Sequence, residues 1–226
     1  MITQYTPLLF FLIQIVCLFF VSRFTINEMF YFLRIFLKKE TNIFVIISII
    51  FFPGTVIHEL AHFLVASVLF LRVRNLSIFP KFEGTYIKLG SILYEKKDAL
   101  RGILVGVAPI LVGVLIFFLV NSAKLFPTSN LYLNIVMLYL IFTVSSTMFS
   151  SKQDLVDLIF IIPLVIVIGG AIYIFNIKTD VLFKNKLFLE GLLGFANKTN
   201  LYLLISLLIN LGLITILRST RLILKR

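Results

Sequence analysis

The chain has 226 residues, 60% of them hydrophobic with 25 Phe, and its mean hydropathy of +1.09 excludes an ordinary water-soluble domain. Its 21 Lys and Arg against ten Asp and Glu give a formal charge of +11. These basic residues sit mainly between apolar blocks, where they orient spans and meet anionic headgroups, which argues against a nucleic-acid partner. A single cysteine, Cys17, excludes an internal disulfide and reads as a small apolar residue of the first span.

Six apolar blocks, about 7–22, 43–71, 99–120, 131–149, 155–175 and 201–217, are near the length that crosses a hydrocarbon core of roughly 30 Å as a helix. They predict an all-α polytopic membrane protein of about six transmembrane helices in one membrane domain. The opening stretch "MITQYTPLLFFLIQIVCLFF" has neither a basic leader nor a small-residue cleavage pattern, so it reads as an uncleaved span. After it, "RFTINEMFYFLRIFLKKE" mixes aromatic and basic residues and predicts a short interfacial helix, completing an N-terminal part over 1–42. The second block is too long for one straight crossing, since residues 43–71 at 1.5 Å each would run to roughly 43 Å. Pro53-Gly54 is the place for a kink or break within it. Between the second and third blocks, "RVRNLSIFPKFEGTYIKLGSILYEKKD" alternates roughly, with β-branched residues on both sides of Pro80 and Gly84, and predicts a short β-hairpin. Residues 43–160 form the core and 161–226 add C-terminal spans. No internal repeat or low-complexity tract is visible.

With a cytoplasmic N-terminus and six crossings, twelve Lys and Arg fall on the cytoplasmic side, among them Arg72, Arg74, Arg101, Lys152, Arg218 and Arg221. Nine, including Arg34, Lys38 and Lys39, fall on the other side, so basic residues favour this orientation modestly. Counting about 20 residues from Asn42 reaches the far surface near His62, which sets "HELAH" in the last turns before the cytoplasm.

That stretch, His58-Glu59-Leu60-Ala61-His62, holds both histidines of the chain. On a helix, i and i+4 share one face about 6 Å apart along the axis, so the two imidazoles can address one ion. Glu59 follows the first His by about 100° of rotation, which suits a carboxylate taking a proton from water beside a metal. H-E-x-x-H also arises by chance. Here, however, the ionisable groups lie in an apolar segment, where they are costly and usually face a functional cavity.

A catalytic Zn2+ usually takes three protein ligands and a water. With no third histidine, the remaining ligand is expected to be an acid. On the six-crossing topology, Glu28, Glu40, Asp180 and Glu190 lie across the membrane from the motif, leaving Glu83, Glu95, Asp98, Asp154 and Asp157. The first three read as solvated charges of the hairpin and of the third span's start. In "SSKQDLVDLIFIIP" the chain turns back into the membrane, which makes Asp154 the first choice and Asp157 the alternative. An acid complementing a helix N-terminus is the plain competing explanation for either.

"HELAH" in a membrane helix, a strand-like segment after it, the span "LRGILVGVAPILVGVLIFFLV" and a later Asp at the start of a helix together resemble the site-2 protease family of intramembrane zinc metalloproteases, in its small, compact branch. The likeness covers roughly residues 43–160. It implies zinc held by His58 and His62, Glu59 as general base, and a later Asp as third ligand. The family's Asp lies in a Leu-Asp-Gly context, whereas this chain reads "QDLVDL"; "SSKQDL" is similar to Ser-Lys-x-Asp variants and favours Asp154. Gly106, Ala108 and Pro109 match the small-residue and proline segment of the family core's second helix, where close packing would be their role.

The resemblance implies peptide-bond hydrolysis of a membrane-embedded or membrane-proximal protein or peptide near the cytoplasmic face of a multi-pass cell-membrane protein. The hairpin would offer a strand edge to an unwound substrate. Richness in Lys, Asn, Ile and Phe points to a low-GC bacterial source. Two rivals come from other classes: a catalytically inactive metal-binding scaffold, and a transporter component using buried His and Glu for a carried ion. The transporter predicts ionisable residues spread over several spans, and here they cluster.

Overall fold

A single helix, α1, runs from Thr6 to Phe36. Its one proline, Pro7, sits in the first turn, where a missing N–H costs nothing, and no glycine follows. The expected separate interfacial helix is therefore the C-terminal half of α1: nothing between Phe24 and Phe36 breaks the backbone pattern. The computed structural model describes residues 5–77, 81–83, 86–88, 90–95, 98–149, 166, 170 and 185–224. Across these the remaining elements are α2 (Glu40–Ile50), α3 (Phe52–Val68), β1 (Val73–Ser77), β2 (Lys81–Glu83), β3 (Tyr86–Lys88), β4 (Ser91–Tyr94), α4 (Ala99–Ser122), α5 (Leu131–Thr147) and α6 (Lys186–Leu224).

Helices α1, α4 and α6 are long and apolar enough to cross a membrane, and α2 with α3 makes a fourth candidate if the bent pair is one span. Helix α5 is apolar but shorter, and the expected fifth block, 155–175, lies almost wholly outside the described residues. The helical membrane class stands on these elements.

Polarity is arranged as lipid demands. Along α1 the inward positions are Gln14, Leu18, Ser22 and Thr25, while Leu9, Leu12, Val16, Phe20 and Phe24 face outward. With no hydrophobic drive between helices in lipid, packing of small side chains and interhelical hydrogen bonds hold such spans together. Here Asn210 of α6 is the hub. Thr25 Oγ1 donates to its Oδ1 at 2.7 Å, its Nδ2 donates to Ser206 O at 2.9 Å, and Ser146 of α5 joins it at 3.2 Å. Ser145 and Ser206 also share a hydrogen bond.

The pairing of α1 with α6 fixes their relative direction. Asn200 Nδ2 donates to Pro7 O at 3.0 Å, Thr25 meets Asn210, and Arg221 Nη2 lies 3.1 Å from Glu28 Oε2. Partners advance together along both chains, so the helices run parallel. The six-crossing expectation made them antiparallel. Their C-terminal ends instead lie together, bringing Arg34 to the same end of the pair as Arg218 and Arg221.

The expected hairpin is present. β1 pairs antiparallel with β4 and β2 with β3, the nested order of one hairpin, with an irregular register between Val73 and Asn75. Its base packs on the end of α3 and the start of α4 through Ala66, Leu71, Val73, Tyr94 and Val105. Asp98 caps α4 by accepting from Arg101 N at 2.8 Å. Arg101 in turn donates to Leu69 O at 3.3 Å.

Candidate metal centre

The second apolar block breaks where its proline predicts. Helix α2 ends at Ile50, Pro53 occupies the first turn of α3, and the two axes differ by 73°. Pro53 has no N–H to continue the helical ladder and its ring crowds the preceding turn, so a new helix starts there. One residue later, a Cβ on Gly54 would collide with the backbone carbonyl of Thr143 and stand 2.6 Å from Thr147 Oγ1. Helix α3 can lie this close on α5 only because residue 54 has no side chain.

From that seat α3 turns Thr55, His58, Glu59, Ala61, His62 and Ala66 inward, with Leu60, Leu64 and Val68 outward. His58, Glu59 and His62 are only 2%, 6% and 4% exposed. Three ionisable groups thus occupy the protein interior and not the lipid face.

Their geometry is specific. His62 Nδ1 lies 2.8 Å from Val105 O, and His62 Nε2 lies 3.1 Å from His58 Nε2. A carbonyl only accepts, so His62 Nδ1 carries the proton and donates, and in the neutral ring Nε2 keeps its lone pair. That lone pair faces the Nε2 of His58 within hydrogen-bond distance. Two nitrogens bound tetrahedrally to one zinc at its usual Zn–N length stand about 3.3 Å apart. The pair fits two positions of such a site, and the Val105 carbonyl is the outer-shell partner that metal-bound histidines typically have.

The acceptor has its own cause in the sequence. Val105 lies four residues before Pro109, inside α4. In a regular helix the N–H of residue 109 would occupy that carbonyl, and proline has none. Pro109 leaves Val105 O available to a donor from outside the helix, and His62 supplies it.

Glu59 carries its carboxyl toward the hairpin. A Cβ built on Gly90, just before β4, would fall 2.5 Å from Glu59 Cγ and 2.6 Å from Oε1. Gly90 has no left-handed φ, so space and not backbone strain sets its identity.

Of the expected ligands, the structure brings His58 and His62 together. Asp154 and Asp157 lie outside the described residues. Among the described residues no group of three or more His, Cys, Asp or Glu gathers to hold a metal. Glu95 pairs with Arg74, and Asp98 caps α4 and lies 3.1 Å from Arg101, in keeping with their reading as solvated charges. Comparison of the chain with protein-family models, curated proteins and solved structures found no match. The functional reading therefore rests on the residues and their placement. Close packing is the role the sequence suggests for Pro109, and Gly90 carries no expectation; the i−4 carbonyl that any helical proline frees is the local signal for the first contact, and nothing local marks the second.

Proposed function

We propose that this chain is an intramembrane zinc metalloprotease similar to the site-2 protease family, hydrolysing peptide bonds of membrane-embedded or membrane-proximal substrates. The observation that carries the reading is the 3.1 Å approach of the two imidazole Nε2 atoms, with the His62 tautomer set by Val105 O, beside a buried Glu59. His58 and His62 supply two ligands through Nε2, and Asp154 the third, with Asp157 as the alternative. Zinc, when bound, supplies Lewis-acid polarisation of the scissile carbonyl. Glu59 accepts a proton from the attacking water and delivers it to the leaving amine nitrogen as the C–N bond breaks. The β1–β4 pair rests on the same helix as the metal ligands and offers a strand edge to an unwound substrate segment. The resemblance to that family implies a site toward the cytoplasmic face of a multi-pass bacterial cell membrane; the straight residue count from Asn42 no longer carries that depth, because α3 bends 73° from α2.

The test uses the purified full-length chain and co-expressed candidate membrane peptides. One zinc per chain is expected, lost in His58→Ala and kept in Glu59→Gln. Cleavage is expected to fall on the order of 100- to 10,000-fold in Glu59→Gln, the usual contribution of a general base. A Glu59→Gln protein that cleaves at the wild-type rate, or a folded wild type that takes up no zinc, overturns the proposal.

A further inference from the structure

Pro109 stands inside an apolar helix, where a proline removes one hydrogen bond and is otherwise disfavoured. Close packing explains a small residue there, but not the loss of a backbone donor. The donor's absence has one specific consequence: the C=O of Val105 keeps an open acceptor position four residues upstream. That position is filled from another helix by His62 Nδ1 at 2.8 Å, with His62 4% exposed. We propose that Pro109 is a positioning residue for the metal centre, acting through Val105 O to hold His62 in the tautomer and ring orientation that present Nε2 toward His58.

The chain of cause runs entirely through backbone chemistry. Any other residue at 109 restores an N–H that competes for Val105 O along the axis of α4. His62 then shares its acceptor or turns away from it, and its Nδ1 proton is no longer fixed. A ring with the proton on Nε2 cannot offer that nitrogen's lone pair to a cation. Losing such an outer-shell partner typically weakens metal binding 10- to 100-fold.

This inference rests on the metalloprotease reading, and the experiment separates the two. Pro109→Ala and Pro109→Val both restore the N–H, while Ala is smaller than Pro and Val is close to it in volume. Binding of cobalt(II) alone to the metal-stripped full-length protein is read by its visible absorption. The ring nitrogens of the chain's two histidines are read by 15N NMR of metal-free, histidine-labelled protein. Expected are a 10- to 100-fold weaker cobalt affinity in both variants, a thermal midpoint no lower than wild type for Pro109→Ala, and mixed protonation at His62 where wild type shows Nδ1–H alone. Unchanged affinity and unchanged His62 signals in both variants overturn the inference. So does weakening in Pro109→Ala alone, which would mark a packing role. A wild type that binds no cobalt while the His62 signals still respond to both substitutions overturns the metalloprotease reading and leaves the Pro109–Val105–His62 linkage standing.

Discussion

Gly90 lies against the carboxyl of Glu59 so closely that a methyl group at residue 90 would overlap Cγ, Cδ and Oε1. All three atoms belong to the far part of a flexible side chain, so Gly90→Ala is relieved by moving Glu59 and not by moving backbone. The expected outcome is a thermal midpoint within a few degrees of wild type, with cleavage down on the order of 10- to 100-fold, since a displacement near 1 Å can cost that much. Glu59→Asp moves the same carboxyl by one methylene while keeping a γ carbon at the contact, so the two substitutions are expected to be non-additive. Equal losses in both backgrounds, measured as kcat/KM, would show that the two residues do not communicate.

Gly54 presents the opposite case. Its would-be Cβ meets the main-chain carbonyl of Thr143, which has no rotamer to escape into. Gly54→Val is expected to push α3 off α5 and lower stability by about 1–3 kcal/mol, the usual cost of overpacking. Zinc uptake should fall with it, because α3 carries both histidines. Denaturation in detergent with parallel metal analysis checks this; a variant as stable as wild type would contradict the close seating of α3.

Asn210 is expected to matter for assembly and not for chemistry. It joins Thr25, Ser146 and Ser206 across three helices, and individual interhelical hydrogen bonds in membranes average about 0.6 kcal/mol, with a maximum near 1.7. Asn210→Ala should lower stability by about 1–2 kcal/mol, as its hub position touches several of them at once. Zinc stoichiometry should not change. A loss of zinc at full stability would point to a role the hydrogen bonds do not explain.

The parallel course of α1 and α6 makes a topological prediction. Cysteines placed at Lys39 and Arg218, one at a time in a Cys17→Ala background, should react with a membrane-impermeant maleimide from the same side of intact cells or vesicles. Labelling from opposite sides would restore the antiparallel arrangement.

How much of this was legible depended on how local the cause was. The helical membrane class came from apolar block length, the α2–α3 break from Pro53, the hairpin from alternation around Pro80 and Gly84, and the paired imidazoles from i, i+4 spacing. Each of these is set by residues within a turn or two of one another. The direction of α6 is not legible locally, because charge counting assumes the number of crossings and partners such as Glu28 and Arg221 are 193 residues apart. The length of α1 is hidden for a related reason: its aromatic and basic residues resemble an interfacial helix, and the partners of Thr25 and Glu28 lie far away in sequence, on α6. The placements of Pro109 and Gly90 are not legible in sequence because each bears on a different element, at a carbonyl in one case and a carboxyl in the other.

The break at Phe51 also sets how the centre is presented. At 73° to its predecessor, the 17-residue α3 advances only about 7 Å along the axis of α2 but about 24 Å across it. A length of chain that would overshoot the bilayer becomes a shelf. His58 and His62, one turn apart on that shelf, differ by only about 2 Å in level along α2. Both imidazoles therefore lie side by side at nearly one depth, with the hairpin's Gly90 standing against the carboxyl of Glu59 beside them.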